Sequence, residues 1–103
     1  MNVKELNESV KVNQKKELEE TIKEIENHIR IRANNGFNNF QIYPNGYAIP
    51  YSYRTDKWMF EPLKEYFENN GFKIKLKEMK SLLVLIEKLL GIYSPVYSMI
   101  ISW

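Results

Sequence analysis

Apolar residues return every three or four positions from Leu18 through Ile22, Ile25 and Ile29 to Ala33. That spacing predicts a helix over residues 14–34 with one buried stripe. Asn13 stands before it as an N-cap, and Glu17 and Glu19 fall in its first turns, where the helix dipole favours acids. Asn34-Asn35-Gly36 supplies a glycine that can close it in the left-handed region. The period then changes from 3.6 to 2. Phe37 to Tyr43 reads as a strand, with Phe40 and Ile42 on one face and Gln41 and Tyr43 on the other, ended by Pro44-Asn45-Gly46. Residues 47–54 read as a loop, in which Pro50 denies regular sheet pairing.

A second helix spans about residues 57–70, with Met59, Leu63, Tyr66 and Phe67 as its inner face. Pro62 is comfortable only in a first turn, so this helix begins near Glu61 or kinks there. After Gly71, residues 72–77 alternate cleanly: Phe72, Ile74 and Leu76 face a core, while Lys73, Lys75 and Lys77 face solvent. Residues 78–90 read as a third helix, stopped by Gly91. Its stripe is Met79, Leu82, Leu83, Ile86, Leu89 and Leu90, and Val84 and Leu85 fall off it, so it is apolar nearly all round. A strand through 82–86 is the alternative. Residues 97–103 form a closing strand with Tyr97, Met99, Ile101 and Trp103 on one face. Residues 1–13 are weakly periodic and read as an N-terminal arm, with Val10 and Val12 able to meet a sheet edge.

These elements define an α+β fold, a small two-layer domain over residues 14–103. A three-stranded sheet is packed by two to three helices in helix–strand units. Asn34-Asn35-Gly36-Phe37 and Asn69-Asn70-Gly71-Phe72 are the same helix-to-strand turn used twice, and Leu90-Gly91-Ile92 resembles a third use.

Composition removes function classes. The 103 residues contain no cysteine and one histidine, which excludes disulfides, thiolate chemistry and sulfur-ligated metals. His28 lies at the edge of the first helix's stripe, and the single aspartate, Asp56, is explained as a helix cap. No pair of carboxylates, nucleophile with base, or glycine-rich phosphate loop is legible. The expectation is therefore a non-enzymatic protein with no cofactor and no metal. The polar start predicts no secretory signal, and the longest apolar run, residues 82–86, falls far short of the ~20 residues that span a bilayer.

Two sets of residues remain as binding candidates. Tyr43, Tyr47, Tyr51, Tyr53 and Trp58 crowd one short stretch, and such aromatics dominate protein interfaces. A small domain also uses loop aromatics to cap its own core. Val84 and Leu85, on the outer side of an all-apolar helix, point the same way: to a protein partner or to self-association as a homo-oligomer. Lys73, Lys75 and Lys77 form a row that could follow a nucleic acid, with Arg30, Arg32 and Lys80 extending it. The net charge of only +2 argues against nucleic acid and for a solubility device that guards a sheet edge.

The helix with an Asn/Gly turn and short strand over 29–43, the helix with a Gly-Phe turn and alternating strand over 63–76, and the closing Tyr-Ser-Met-Ile-Ile-Ser-Trp at 97–103 together resemble small α/β proteins of tailed phages and large DNA viruses. The resemblance covers residues 22–103 and is one of fold. It implies a virion or assembly component acting through protein–protein binding, placed in the host cytoplasm or the virion. A phage accessory protein that inhibits or sequesters a host defence factor is the alternative, and a nucleic-acid-binding accessory protein is a third. The resemblance implies no catalytic residues.

Overall fold

A computed structural model describes residues 2–46, 49–79, 82–92 and 94–103, with the backbone alone at 82–84. Its elements are α1 (Val3–Asn34), β1 (Asn39–Pro44), β2 (Tyr53–Thr55), a single 3-10 turn (Lys57–Met59), α2 (Phe60–Asn69), β3 (Lys73–Glu78), α3 (Leu82–Leu90) and β4 (Tyr97–Ser102). The class is α+β, and the sheet is mixed and four-stranded in the order β2-β1-β4-β3.

β4 is the centre of the sheet. It runs antiparallel to β1, with Phe40 opposite Ile101 and Ile42 opposite Met99, and antiparallel to β3, with Ile74 opposite Ile101 and Leu76 opposite Met99. The fourth strand, β2, lies parallel to β1, with Tyr53 beside Ile42 and Thr55 beside Pro44. It corrects the reading of three strands. Three residues are too short for a period to show, and Pro50 lies before the pairing rather than within it. Pro44 ends β1 inside the sheet and is fully buried.

Both long helices pack on one face of this sheet. Ile25 and Ile29 of α1 and Leu63 and Phe67 of α2 meet Phe40, Ile42, Met99 and Ile101, with Met59 from the 3-10 turn. Leu18, Ile22, Phe72 and Ile74 pack half-buried around this core. The 3-10 turn resolves the Pro62 question: α2 begins at Phe60, so the proline stands in its first turn, where a missing N–H is harmless.

The N-terminal arm is helix. α1 starts at Val3, capped by Asn2, whose Oδ1 accepts from the Glu5 N–H at 2.9 Å. Asn13 is therefore interior to the helix. No glycine or proline interrupts residues 3–13, but Val3, Leu6 and Val10 lie about a quarter-turn around the helix from the Leu18–Ile29 stripe. That shift of face breaks the periodicity and hides the continuity. Every residue from Asn2 to Glu17 is exposed. The 32-residue helix is about 48 Å long, so it projects, and the radius of gyration of 16.3 Å exceeds the roughly 13 Å of a compact chain this size.

The helix ends share one closure. Phe37 N–H donates to Arg32 C=O at 2.9 Å, Phe72 N–H to Phe67 C=O at 3.0 Å, and Ile92 N–H to Glu87 C=O at 3.0 Å. In each, the intervening glycine has positive φ and donates to the carbonyl three residues back. This six-to-one bond around a left-handed residue is why Gly36, Gly71 and Gly91 follow their helices. The third copy, at Leu90-Gly91-Ile92, is as complete as the other two.

Candidate functional site

The aromatic candidates divide between the two faces of the sheet. Tyr53 lies on the helix-covered face. Its ring packs against His28 at 5.1 Å and Phe40 at 5.5 Å, and its hydroxyl donates to Glu24 at 2.9 Å. Burial first, then the hydrogen bond and charge of Glu24, push its phenol far above the ordinary tyrosine range. Tyr53 thus caps this chain's own core, and His28, stacked on Phe40 at 5.3 Å, acts as one more aromatic plate there. Tyr43 alternates to the opposite face and is half-buried. Tyr51 is fully exposed, with φ of 58°, and Trp58 sits in the 3-10 turn, partly exposed. Tyr47 lies outside the described residues. Tyr43 and Tyr53 therefore do not share one patch, because strand alternation sends them to opposite sides of the sheet.

Residues 82–90 are helix, which settles the helix-or-strand alternative there, but the expected start at 78 is corrected. Glu78 ends β3, and the Met79 N–H donates to the Val96 carbonyl instead of opening the helix. The connection between β3 and β4 includes this nine-residue helix, yet the two strands pair along their full length. Leu85 is exposed, as its position off the stripe predicts; the side chain of Val84 lies outside the described residues. The stripe residues themselves depart from expectation. Ile86, Leu89 and Leu90 are each more than half exposed, and so is Ile92 just beyond the helix. The face read as packing on the sheet is therefore open at these three positions. The core on the sheet's covered face is built by α1 and α2, and none of the described residues of α3 belongs to it.

An apolar groove of about 230 Å³ opens between α2 and the sheet. Pro44, Phe60, Leu76, Val96 and Tyr97 form its walls, with Lys57, Glu61 and Lys64 among the residues at its margin. Leu76 was expected in the core but is 45% exposed here, because β3 is an edge strand lying at the limit of α2's cover.

The other face of the sheet is polar. Asn39, Gln41 and Tyr43 of β1, Ser98, Ile100 and Ser102 of β4, and Lys73, Lys75 and Lys77 of β3 share it through the strand register. Arg54 of β2 stands beside Tyr43 on the same side. Gln41 Nε2 donates to Ser98 Oγ at 2.9 Å, and Ser98 Oγ to the Lys77 carbonyl at 3.3 Å. Of these residues, the sequence reading had singled out only Tyr43 and the lysines, since cross-strand neighbours depend on a register that one sequence does not display.

Among the described residues no group of three acidic or histidine side chains could hold a metal ion, and no helix is long and apolar enough to cross a membrane. Against known proteins, no family model, no curated protein and no solved structure matches this chain.

Proposed function

We propose that this chain is a non-enzymatic protein-binding domain that assembles through α3, serving as the virion or assembly component that its likeness to phage and viral proteins implies. The observation carrying the proposal is the exposure of α3. Leu85, Ile86, Leu89 and Leu90 are 60%, 53%, 87% and 66% exposed. Each large aliphatic left in water forgoes roughly 1.5–3 kcal/mol of burial, and a contiguous apolar surface of this kind marks an interface.

The occupant we assign is a second copy. A copy brings both an apolar helix and the groove of Pro44, Phe60, Leu76, Val96 and Tyr97, so one contact can be made twice about a twofold axis. Light scattering across concentration tests it: wild type should shift from monomer to dimer, and Leu85→Glu and Leu89→Glu should stay monomeric with unchanged circular dichroism. A wild type that stays monomeric throughout overturns the self-assembly. Sedimentation with purified particles tests the placement; a protein confined to the particle-free fraction of infected cells belongs instead with the inhibitors of host factors.

A further inference from the structure

The total charge of +2 hides a segregation that only the strand register exposes. Lys73, Lys75, Lys77 and Arg54 all stand on the sheet face opposite the helices by strand register, while Glu78, the acidic residue of β3, alternates to the covered side. With four cations on that face, the rest of the chain nets −2. A near-neutral total was the ground for reading the lysines as a solubility device, and a total is the wrong quantity when the charge lies on one plane.

The plane has further features. The lysines recur about 6.7 Å apart, two residues of extended strand, a repeat that successive phosphates of an extended single strand can follow. Beside them lie the neutral hydrogen-bonding groups Asn39, Gln41 and Ser102 and the half-buried ring of Tyr43, while Ser98 is buried among them with its hydroxyl bonded to Gln41 and the Lys77 carbonyl. A shallow groove of about 670 Å³ is lined by Gln41, Tyr43, Lys75, Lys77 and Ser98, with Glu78 as its one acidic residue. Cations that track a backbone beside an aromatic surface are the means by which single-stranded nucleic acids are held without sequence readout.

We propose that this open sheet face binds the sugar–phosphate backbone of a nucleic acid, with Lys73, Lys75 and Lys77 on the phosphates. The proposal stands apart from assembly through α3, which uses other residues.

Fluorescence anisotropy with a labelled oligothymidylate and with a labelled duplex tests it, comparing wild type with two triple variants. Lys73→Gln/Lys75→Gln/Lys77→Gln strips the face. Lys11→Gln/Lys15→Gln/Lys16→Gln makes the same charge change on the projecting part of α1. Wild type should bind at micromolar concentration and weaken roughly twenty-fold on the single strand, or about forty-fold on the duplex, between about 50 and 200 mM salt, as three phosphate contacts require. The β3 variant should lose at least about ten-fold and the α1 variant far less, with Lys-to-Arg changes on β3 retaining binding. Tighter binding of the oligothymidylate assigns single strands, and tighter binding of the duplex assigns double-stranded nucleic acid. Absence of binding, equal loss in both triple variants, or polyglutamate competing as well as the oligonucleotide would overturn the assignment, the last in favour of an acidic protein.

Discussion

Tyr53 on β2 donates its phenolic hydrogen to Glu24 on α1 at 2.9 Å. The bond fastens the shortest strand of the sheet to the longest helix, and the Tyr53 ring lies against His28 and Phe40 in the same contact. Since β2 spans only three residues and pairs with β1 alone, this side-chain link supplies much of its hold.

Tyr53→Phe should therefore cost about 1 kcal/mol, the net worth of one hydrogen bond. It should also change the alkaline limb of stability. The folded state holds the Tyr53 phenol neutral to well above the ordinary value near 10, so between that value and the raised one the folded chain binds more protons than the unfolded. The contribution is complete below about pH 10 and is lost as pH rises through the folded value. Urea melts of wild type and Tyr53→Phe from neutral to strongly alkaline pH should approach and then cross as pH rises, since only the wild type must keep a buried phenol protonated; parallel curves would show that the folded state does not raise the Tyr53 phenol.

Phe67 is wholly buried and makes edge contacts with Tyr66 at 5.1 Å and Phe72 at 5.4 Å; Phe72 in turn meets Trp103 at 6.4 Å. Phe67→Ala should cost about 3–5 kcal/mol, and Ile25→Ala about 2–5 kcal/mol, by lost transfer energy and the cavity left behind. Ile22→Ala should cost less, because Ile22 is only half-buried beside the core. Thermal melts of the three variants check the ranking, and Ile22 proving the most costly would contradict this packing.

Thr55 offers a stabilising change. It is buried at the end of β2, and its Oγ1 has no hydrogen-bond partner among the described residues. A buried hydroxyl without a partner carries a desolvation penalty, and replacing it with a methyl group of the same shape removes that penalty. Thr55→Val should raise stability by about 1 kcal/mol, since valine also suits a strand. A lowered melting temperature would indicate that the hydroxyl is satisfied after all.

Much of this fold was legible where a period ran long enough. The 18–29 stripe and the glycine closures at 36, 71 and 91 each repeat a local physical rule and appear where the rule placed them; the alternation of 72–77 gives the strand, but Leu76, at its edge, stays exposed. Pairing did not show. β2 escaped because three residues carry no period and a proline stood near. The start of α1 escaped because Val3, Leu6 and Val10 lie on a different face from Ile22 and Ile25. Of the binding candidates, Leu85 and the lysine row stand on exposed surfaces as their patterns suggested. The tyrosines did not stay together, because strand alternation sends Tyr43 and Tyr53 to opposite sides of the sheet.

The projecting half of α1 yields the last prediction. Residues 2–17 bury nothing, so they add helix but almost no packing, and a helical segment this short is marginal by itself. Deleting residues 1–12 leaves Asn13 one position ahead of a helix that begins at Gln14, with Glu17 and Glu19 in its first turns. An asparagine N-cap stabilises a helix by about 1 kcal/mol relative to alanine, so the shortened chain has a ready start. The melting temperature should change little, while far-ultraviolet circular dichroism should lose the signal of about ten helical residues, those between Val3 and Asn13. Adding Asn13→Ala to the truncated chain should cost about 1 kcal/mol, whereas the same substitution in the full chain, where residue 13 is mid-helix and exposed, should be neutral or slightly stabilising. A large loss of stability on truncation alone would mean that the projecting half is packed against a second copy, and light scattering on the same samples would register that contact.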